Sequence, residues 1–135
     1  MATWLVKSEP DTYSFADLQR DGTTVWDGVR NFTAAQNLKA MKAGEEVLFY
    51  HSGEGKAVVG VAKVAKEAFK DASDPTGRFY AVELAAVRPL KTPVTLAQLK
   101  ADPAFADMVM VRQGRLSVSP VSAAEWSRIL ELSGG

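Results

Sequence analysis

The chain predicts an α+β fold, a curved or closed mixed barrel of about five or six strands flanked by three or four helices. Three observations point to it. Segments of alternating polarity and segments of helical periodicity are interspersed along the 135 residues. Two strand-like runs, Val47 to Ser52 and Ala57 to Val64, are separated only by Ser52-Gly53-Glu54-Gly55-Lys56, the composition of an antiparallel hairpin turn. The spacings elsewhere are too short for repeated strand–helix–strand crossovers, which disfavours a doubly wound parallel sheet.

The elements follow in order. Thr3 to Ser8 alternates Trp4, Val6 and Ser8 against Leu5 and Lys7 until Pro10 ends the strand. Ser14 with Asp17 three residues on is a capping-box pattern, opening a short helix through Leu18 that closes near Gly22. Asn31 is placed to cap a second helix with an apolar stripe of Phe32, Ala35, Leu38 and Met41 and Gly44 at its stop. After the hairpin, a surface loop is expected over residues 67–78, containing the turn Asp74-Pro75-Thr76-Gly77, and then a strand from Phe79 to Val87. Thr95 with Gln98 opens another helix over Leu96 and Leu99, which Asp102-Pro103 interrupts. Leu116 to Val121 alternates as a last strand, and Ser122 with Glu125 caps a terminal helix packing Trp126, Ile129 and Leu130.

Composition excludes several function classes. With 47% hydrophobic residues the chain suffices for one domain with one core and is too short for two ordinary ones. Sixteen basic residues balance sixteen acidic ones, so no global field draws it onto polyanions, and any nucleic-acid affinity must come from a local patch and a pocket. The absence of cysteine excludes disulfides, thiol catalysis and the usual structural zinc sites. His51 is the single histidine, so no metal or other cofactor is expected. Met1-Ala2-Thr3-Trp4 lacks the pattern of an export signal, and no stretch has the roughly 18 apolar residues of a membrane span. The expected location is the cytoplasm, or the nucleus in a eukaryote. Asn31-Phe32-Thr33 matches a glycosylation sequon that, without an export signal, is read as chance.

Enzymatic readings find little support. A Ser/His/Asp site would have to recruit His51, but there is no Gly-x-Ser-x-Gly elbow, and Ser52 points to the opposite face of a regular strand. Gly53-Glu54-Gly55-Lys56 lacks the Walker spacing and joins two strands instead of opening a helix. A small hydrolase using His51 is the weaker alternative.

Three segments carry the functional signal: Trp4-Leu5-Val6-Lys7-Ser8-Glu9-Pro10, Trp26-Asp27-Gly28-Val29-Arg30-Asn31 and Phe49-Tyr50-His51-Ser52. Each sits at a strand end and joins a flat ring to hydrogen-bonding groups, the combination that suits one planar polar ligand such as a nucleobase. Trp26, before an Asp-Gly turn, is either a stacking platform or a core tryptophan; Trp4 and Trp126 lie on apolar stripes and pack. Lys7 and Ser8 sit where amides leave the ladder, free to meet a ligand edge. Asn31 serves the helix start or a base, with a donor and an acceptor on one amide. Tyr50 and His51 are pocket candidates, His51 alternatively holding a neighbour by a hydrogen bond. Leu116 and Val118 face the core and Ser117 points the other way. Arg30 meets a phosphate or an acidic neighbour, and Arg115, Lys39 and Lys42 are further candidate phosphate contacts.

Together with Met41-Lys42-Ala43-Gly44, Pro93-Val94-Thr95-Leu96 and Arg115-Leu116-Ser117-Val118-Ser119-Pro120-Val121, these motifs resemble an EVE domain, over about residues 3–130. The resemblance implies a PUA-like pseudobarrel related to the YTH and ASCH domains, and a single such domain over residues 1–135. It implies a non-enzymatic module that recognises a modified base, chiefly cytosine in DNA although RNA is also a partner class, with Trp26 lining the pocket and the Arg115 to Ser117 segment beside it. The stretch Glu67 to Phe79 departs most, because many relatives have a longer Pro- and Tyr-rich loop there. An RNA-binding or protein-interaction adaptor without base selectivity is the alternative from another class.

Overall fold

A computed structural model of the chain describes residues 2–53 and 55–134; Met1, Gly135 and Glu54 of the hairpin turn lie outside them. Six strands, β1 (Thr3–Ser8), β2 (Thr23–Trp26), β3 (Glu46–His51), β4 (Ala57–Lys70), β5 (Tyr80–Thr95) and β6 (Val118–Val121), form one mixed sheet in the order β2-β5-β4-β3-β1-β6. Only β1 and β3 pair in parallel; every other ladder is antiparallel. The parallel pair requires a crossover, supplied by α1 (Phe15–Asp21), β2 and α2 (Phe32–Ala40). Three more helices, α3 (Leu96–Ala101), α4 (Val109–Arg112) and α5 (Ala123–Ser133), and a 3-10 turn at Pro103–Phe105 complete the order. The fold is α+β as expected, with an open sheet in place of a closed barrel and five α-helices, the short α4 being the one that no periodicity announced.

Capping chemistry sets the helix starts. Ser14 with Asp17, Thr95 with Gln98 and Ser122 with Glu125 each form a reciprocal capping box, and Asn31 Oδ1 accepts from the Ala34 N–H at 2.9 Å. Two expectations are corrected in α2. The helix ends at Met41 in extended conformation, so Gly44 lies in the following turn. Ala34, Ala35, Leu38 and Met41 are buried, but Phe32 is 62% exposed and lies stacked on Phe79 outside the core.

The β4–β5 pair is much longer than its sequence pattern suggests. β4 runs on to Lys70 because Phe69 pairs with Ala81 and Ala68 packs on the core, so the loop covers only 71–79. β5 continues through Pro89 and Pro93, which lack an amide for a regular ladder. Pro89 stands opposite Gly60 at one of four register shifts along the pair. Such irregularities bend strands, and here they curl the sheet so that β2, at one end of the strand order, reaches the neighbourhood of β1 and β6 at the other. At its other end the last strand is shorter than expected, beginning at Val118 and not Leu116.

Alternation along the central strands separates two apolar layers where composition suggested one core. Trp4, Val6, Val47, Phe49, Ala62 and Val64 face one side with Phe15, Leu18 and Leu38; Leu5, Leu48, Tyr50, Val58 and Val61 face the other with Phe105, Met110 and Ile129. β1 and β3 are therefore buried on both faces. Trp4 packs as expected, its indole N–H donating to buried Glu45 at 2.9 Å. Gly60 is required by close approach: a Cβ there would stand 2.5 Å from the Phe15 ring. Gly60→Ala is expected to destabilise the fold by about 1–3 kcal/mol through overpacking, read as a lower urea midpoint. A midpoint equal to that of the wild type would show that the Phe15 ring is free to move.

Candidate functional site

The curl of the sheet leaves a cavity of about 530 Å³ between the end of β1, the loop before α1, the end of β2 and the segment entering β6. Small-ligand pockets typically enclose about 300–1,000 Å³. Lys7 and Ser8 come from β1, Tyr13 from the loop, Thr24 and Trp26 from β2, Asp27 to Arg30 from the following turn, and Ser117 from the chain before β6.

Trp26 is half-buried, packed edge-to-face on the fully buried Phe49 ring at 5.5 Å between centroids, and it lines the cavity. Its backbone is fixed by pairing with Val82 on β5. The next residues are tied down by a carboxylate 43 positions further along the chain. Asp71, whose carboxylate is fully buried, accepts from the Gly28 N–H at 2.8 Å, from Arg30 Nη1 at 3.0 Å and from the Ser73 N–H and hydroxyl at 2.8 and 2.6 Å. Burial pushes the Asp71 carboxyl up, but the bonds from Ser73, Gly28 and Arg30 outweigh it and hold it well below the usual carboxylate range. Gly28, at φ 76°, gives the turn the left-handed step that presents its amide to Asp71. Of the two roles open to Arg30, the structure shows the acidic neighbour, with the guanidinium also bonded to Ser73 and 5.2 Å from the Phe79 ring centre.

Ser8 donates its hydroxyl to the Tyr13 carbonyl at 2.6 Å, and its own carbonyl accepts from the Ser52 N–H. The Ser8 oxygen keeps acceptor capacity toward the cavity. The expectation of free amides at this strand end is corrected for Lys7, whose N–H donates to the Ser117 carbonyl at 3.0 Å. The Lys7 ammonium donates to the Gly114 carbonyl at 2.6 Å and sits 5.6 Å from the Tyr50 ring centre; burial pushes its pKa down, and nearby Lys56 adds to the effect.

The remaining sequence candidates are not brought together around Trp26. His51 lies behind the wall: its Nε2 accepts from the Phe15 N–H at 3.0 Å and its ring packs edge-to-face on Phe49 at 5.7 Å. Nε2 is therefore unprotonated, and burial pushes the imidazole pKa down. Tyr50 faces an adjoining cavity on the other side of Lys7. Asn31, Arg115 and Leu116 border a shallower depression with Gln113 and Gly114, Asn31 being engaged as the α2 cap and Leu116 buried. Lys39 lies about 12 Å along α2 from the cap and folds over Tyr80, 4.7 Å from the ring centre; Lys42 sits in the turn beyond. Neither lysine lines the cavity.

Tyr13, which lines the cavity, and Asp71, which holds the turn at its rim, both escaped the sequence reading. Tyr13 contributes a second aromatic ring to the lining and anchors its hydroxyl to Asp21 at 2.8 Å. An aromatic just after the Pro10 break and just before a helix cap was the available signal. Asp71 lay within the segment read as a surface loop, where a carboxylate carries no local mark of burial.

The EVE domain pattern matches residues 2–132. The chain belongs to the EVE domain family. It is 34% identical to human thymocyte nuclear protein 1 over 163 aligned positions, covering 96% of this chain and 72% of the relative. Its fold superposes on an NMR structure of a Rhodopseudomonas palustris protein with a TM-score of 0.94 at 45% identity, over 99% and 94% of the two chains. It also superposes on the crystal structure of human THYN1 in complex with 5-methylcytosine-containing DNA, with a TM-score of 0.95 at 32% identity, over 100% and 99%. The expected PUA-like fold of this EVE family is thus established, and a YTH domain from Zygosaccharomyces rouxii shares the fold at a TM-score of 0.59 and 23% identity.

Two predictions follow from the electrostatics. Because the folded Asp71 pKa is depressed, its contribution is present above about pH 4 and lost as pH falls toward the folded value. Asp71→Asn should cost about 1–3 kcal/mol at neutral pH, since the Gly28 and Arg30 donors lose their charged acceptor, and should flatten the acid limb of a urea-midpoint profile. A profile matching the wild type would remove Asp71 as the holder of this turn. For His51 the folded pKa also lies below the unfolded one, so its stabilisation is full above about pH 6.5 and lost as pH falls through the folded value. The single histidine should titrate below 6.5 by proton NMR; a midpoint above that would contradict the Phe15 hydrogen bond.

Proposed function

We propose that this EVE domain is a non-enzymatic reader of nucleic acid that accepts one modified base, most consistently a substituted cytosine in DNA, between Trp26 and Tyr13. The carrying observation is the half-buried Trp26 indole, braced on Phe49 and open to a cavity large enough for a nucleoside. A flipped or unpaired base stacks on such a ring for about 1–3 kcal/mol, which offsets unstacking. The lining carries Glu9 and Asp27 as well as Lys7 and Arg30. That balance suits a neutral polar ring better than a phosphate, and carboxylate, hydroxyl and carbonyl acceptors match the exocyclic amine of cytosine or adenine. The human relative solved with 5-methylcytosine-containing DNA favours cytosine.

In this reading Lys7, Ser8, Trp26 and Ser117 form the pocket with Tyr13, while His51 and Leu116 support its walls from behind and Tyr50 lies under the adjoining cavity. Asn31, Arg30 and Arg115 lie where the strand enters, with Lys39 and Lys42 further along α2. The hydrolase alternative is weakened because His51 spends its basic nitrogen on Phe15 and stands outside the cavity. No helix of the described residues is long and apolar enough to cross a membrane, and the proposed place of action is wherever the chain meets nucleic acid, the cytoplasm or a eukaryotic nucleus.

Titration of modified and unmodified oligonucleotides tests the reading. Trp26→Ala should weaken modified-base binding roughly 5- to 150-fold. Wild type should prefer a methylated over an unmethylated base by about fourfold from burial of one methyl, and by more only where polar contacts add to it. Equal binding of every oligonucleotide by wild type and Trp26→Ala would favour the adaptor reading instead.

A further inference from the structure

We propose that the nucleic-acid strand flanking the bound base leaves the Trp26 cavity across Lys7 and follows a groove toward the β3–β4 turn, where Lys56 and Lys100 hold its phosphates. The inference rests on the base-reader reading and extends it from one nucleotide to the path of the strand.

Three cavities make that path continuous. The Trp26 cavity shares Lys7 and Glu9 with a neighbour of about 470 Å³, which in turn shares Gly53, Lys56, Leu96 and Lys100 with a third, also of about 470 Å³. The shared residues are the ridges between them, so a chain passing from one to the next must cross Lys7 and then run between Lys56 and Lys100. Leu96 and Val111 supply half-buried apolar surface over a floor formed by the buried Tyr50 and Met110, and the lysines stand at its edge. Exposed cations beside a half-buried apolar surface suit a strand held through its phosphates, a contact that carries no sequence preference.

Charge favours the same occupant. Among the described residues, Glu9 is the only carboxylate lining the two outer cavities, against Lys7, Lys56 and Lys100. A protein with no net charge thus has a local cationic run that begins at the base cavity. Lys7 is held at that junction by the Gly114 carbonyl at 2.6 Å, and Lys56 lies near enough to lower its pKa, a repulsion that a bound phosphate would relieve. An acidic peptide would meet the same cations, but it would have no reason to start at a cavity lined by Trp26 and Tyr13.

The test uses the full chain, a modified nucleoside, and oligonucleotides of about two to six residues carrying that base, followed by fluorescence anisotropy or calorimetry from about 50 to 300 mM salt. Wild-type affinity should rise with length. Lys56→Ala/Lys100→Ala, both exposed positions, should leave nucleoside affinity unchanged and reduce the salt slope for the longest oligonucleotide by about 1.4, the value for two single-strand phosphate contacts. Nucleoside binding that gains nothing with length, or an unchanged slope in the double variant, would overturn the groove while leaving the base reader intact. Lysine-dependent oligonucleotide binding with no nucleoside binding would do the reverse. Preference of the groove for a poly-glutamate peptide over the oligonucleotide would overturn the proposal in favour of a protein partner.

Discussion

The ring of Phe49 is the fixed point to which the rest of the site refers. It is fully buried on β3, a central strand covered on both faces, and it meets Phe15, Trp26 and His51 edge-to-face at 5.3, 5.5 and 5.7 Å. These three rings arrive from α1, from β2 and from the end of β3 itself, so one apolar contact set joins the crossover to the centre of the sheet. Gly60, paired with Phe49 across the ladder, provides the room in which Phe15 lies against the backbone. Trp26 comes from a short strand at the opposite end of the sheet order, and its rigidity depends on this brace as well as on its ladder with β5. For the stacking role proposed for Trp26 this brace matters, because ordering the ring at the moment of binding would consume the modest energy that stacking supplies.

Asp71 performs the complementary task with polar chemistry. The turn after Trp26 must leave the ladder to border the cavity, which takes the amide of Gly28 away from any strand partner and leaves the buried Asp71 carboxylate in need of donors. That carboxylate accepts from the Gly28 amide and the Arg30 guanidinium and is further satisfied by Ser73. Asp74 repeats the device a few residues on, accepting from Thr76, Arg78 and Phe79 with its pKa held at about 2, first by the Thr76 hydroxyl. The loop that looked solvated in sequence is thus organised around two carboxylates, one of which reaches across to the site.

What was legible in the sequence was local. All three capping boxes, the Asn31 cap, the hairpin turn and the inward Leu116 and Val118 were readable because each depends on residues three or four apart, or on strict alternation. What escaped was set by contacts between distant elements. β4 and β5 run past charged residues and two prolines because each supports the other through bulges, which no single-segment pattern reveals. Phe32 fits a helical stripe yet stays exposed, since the ring of buried Phe79, from the loop before β5, gives it a stacking partner at the surface. Trp26, Lys7, Ser8 and Ser117 converge as strand-end residues should, whereas Tyr50 and His51, on one strand, point to opposite layers by the ordinary period of two.

The distribution of charge reconciles a formal net charge of zero with the proposed binding of a polyanion. Cations and carboxylates balance at the base cavity, where a uniformly positive lining would trap any phosphate and compete with the ring that the cavity suits. Among the described residues, the lysines without such balance stand beyond Lys7, displaced from Trp26 along the groove. Under the proposed reading, separation of this kind divides the work: stacking and edge contacts discriminate among bases, while the proposed groove adds affinity that is indifferent to sequence and sensitive to salt. With few phosphates engaged, that second component stays small enough for dissociation from unmodified strands to remain easy, which a reader sampling many sites requires.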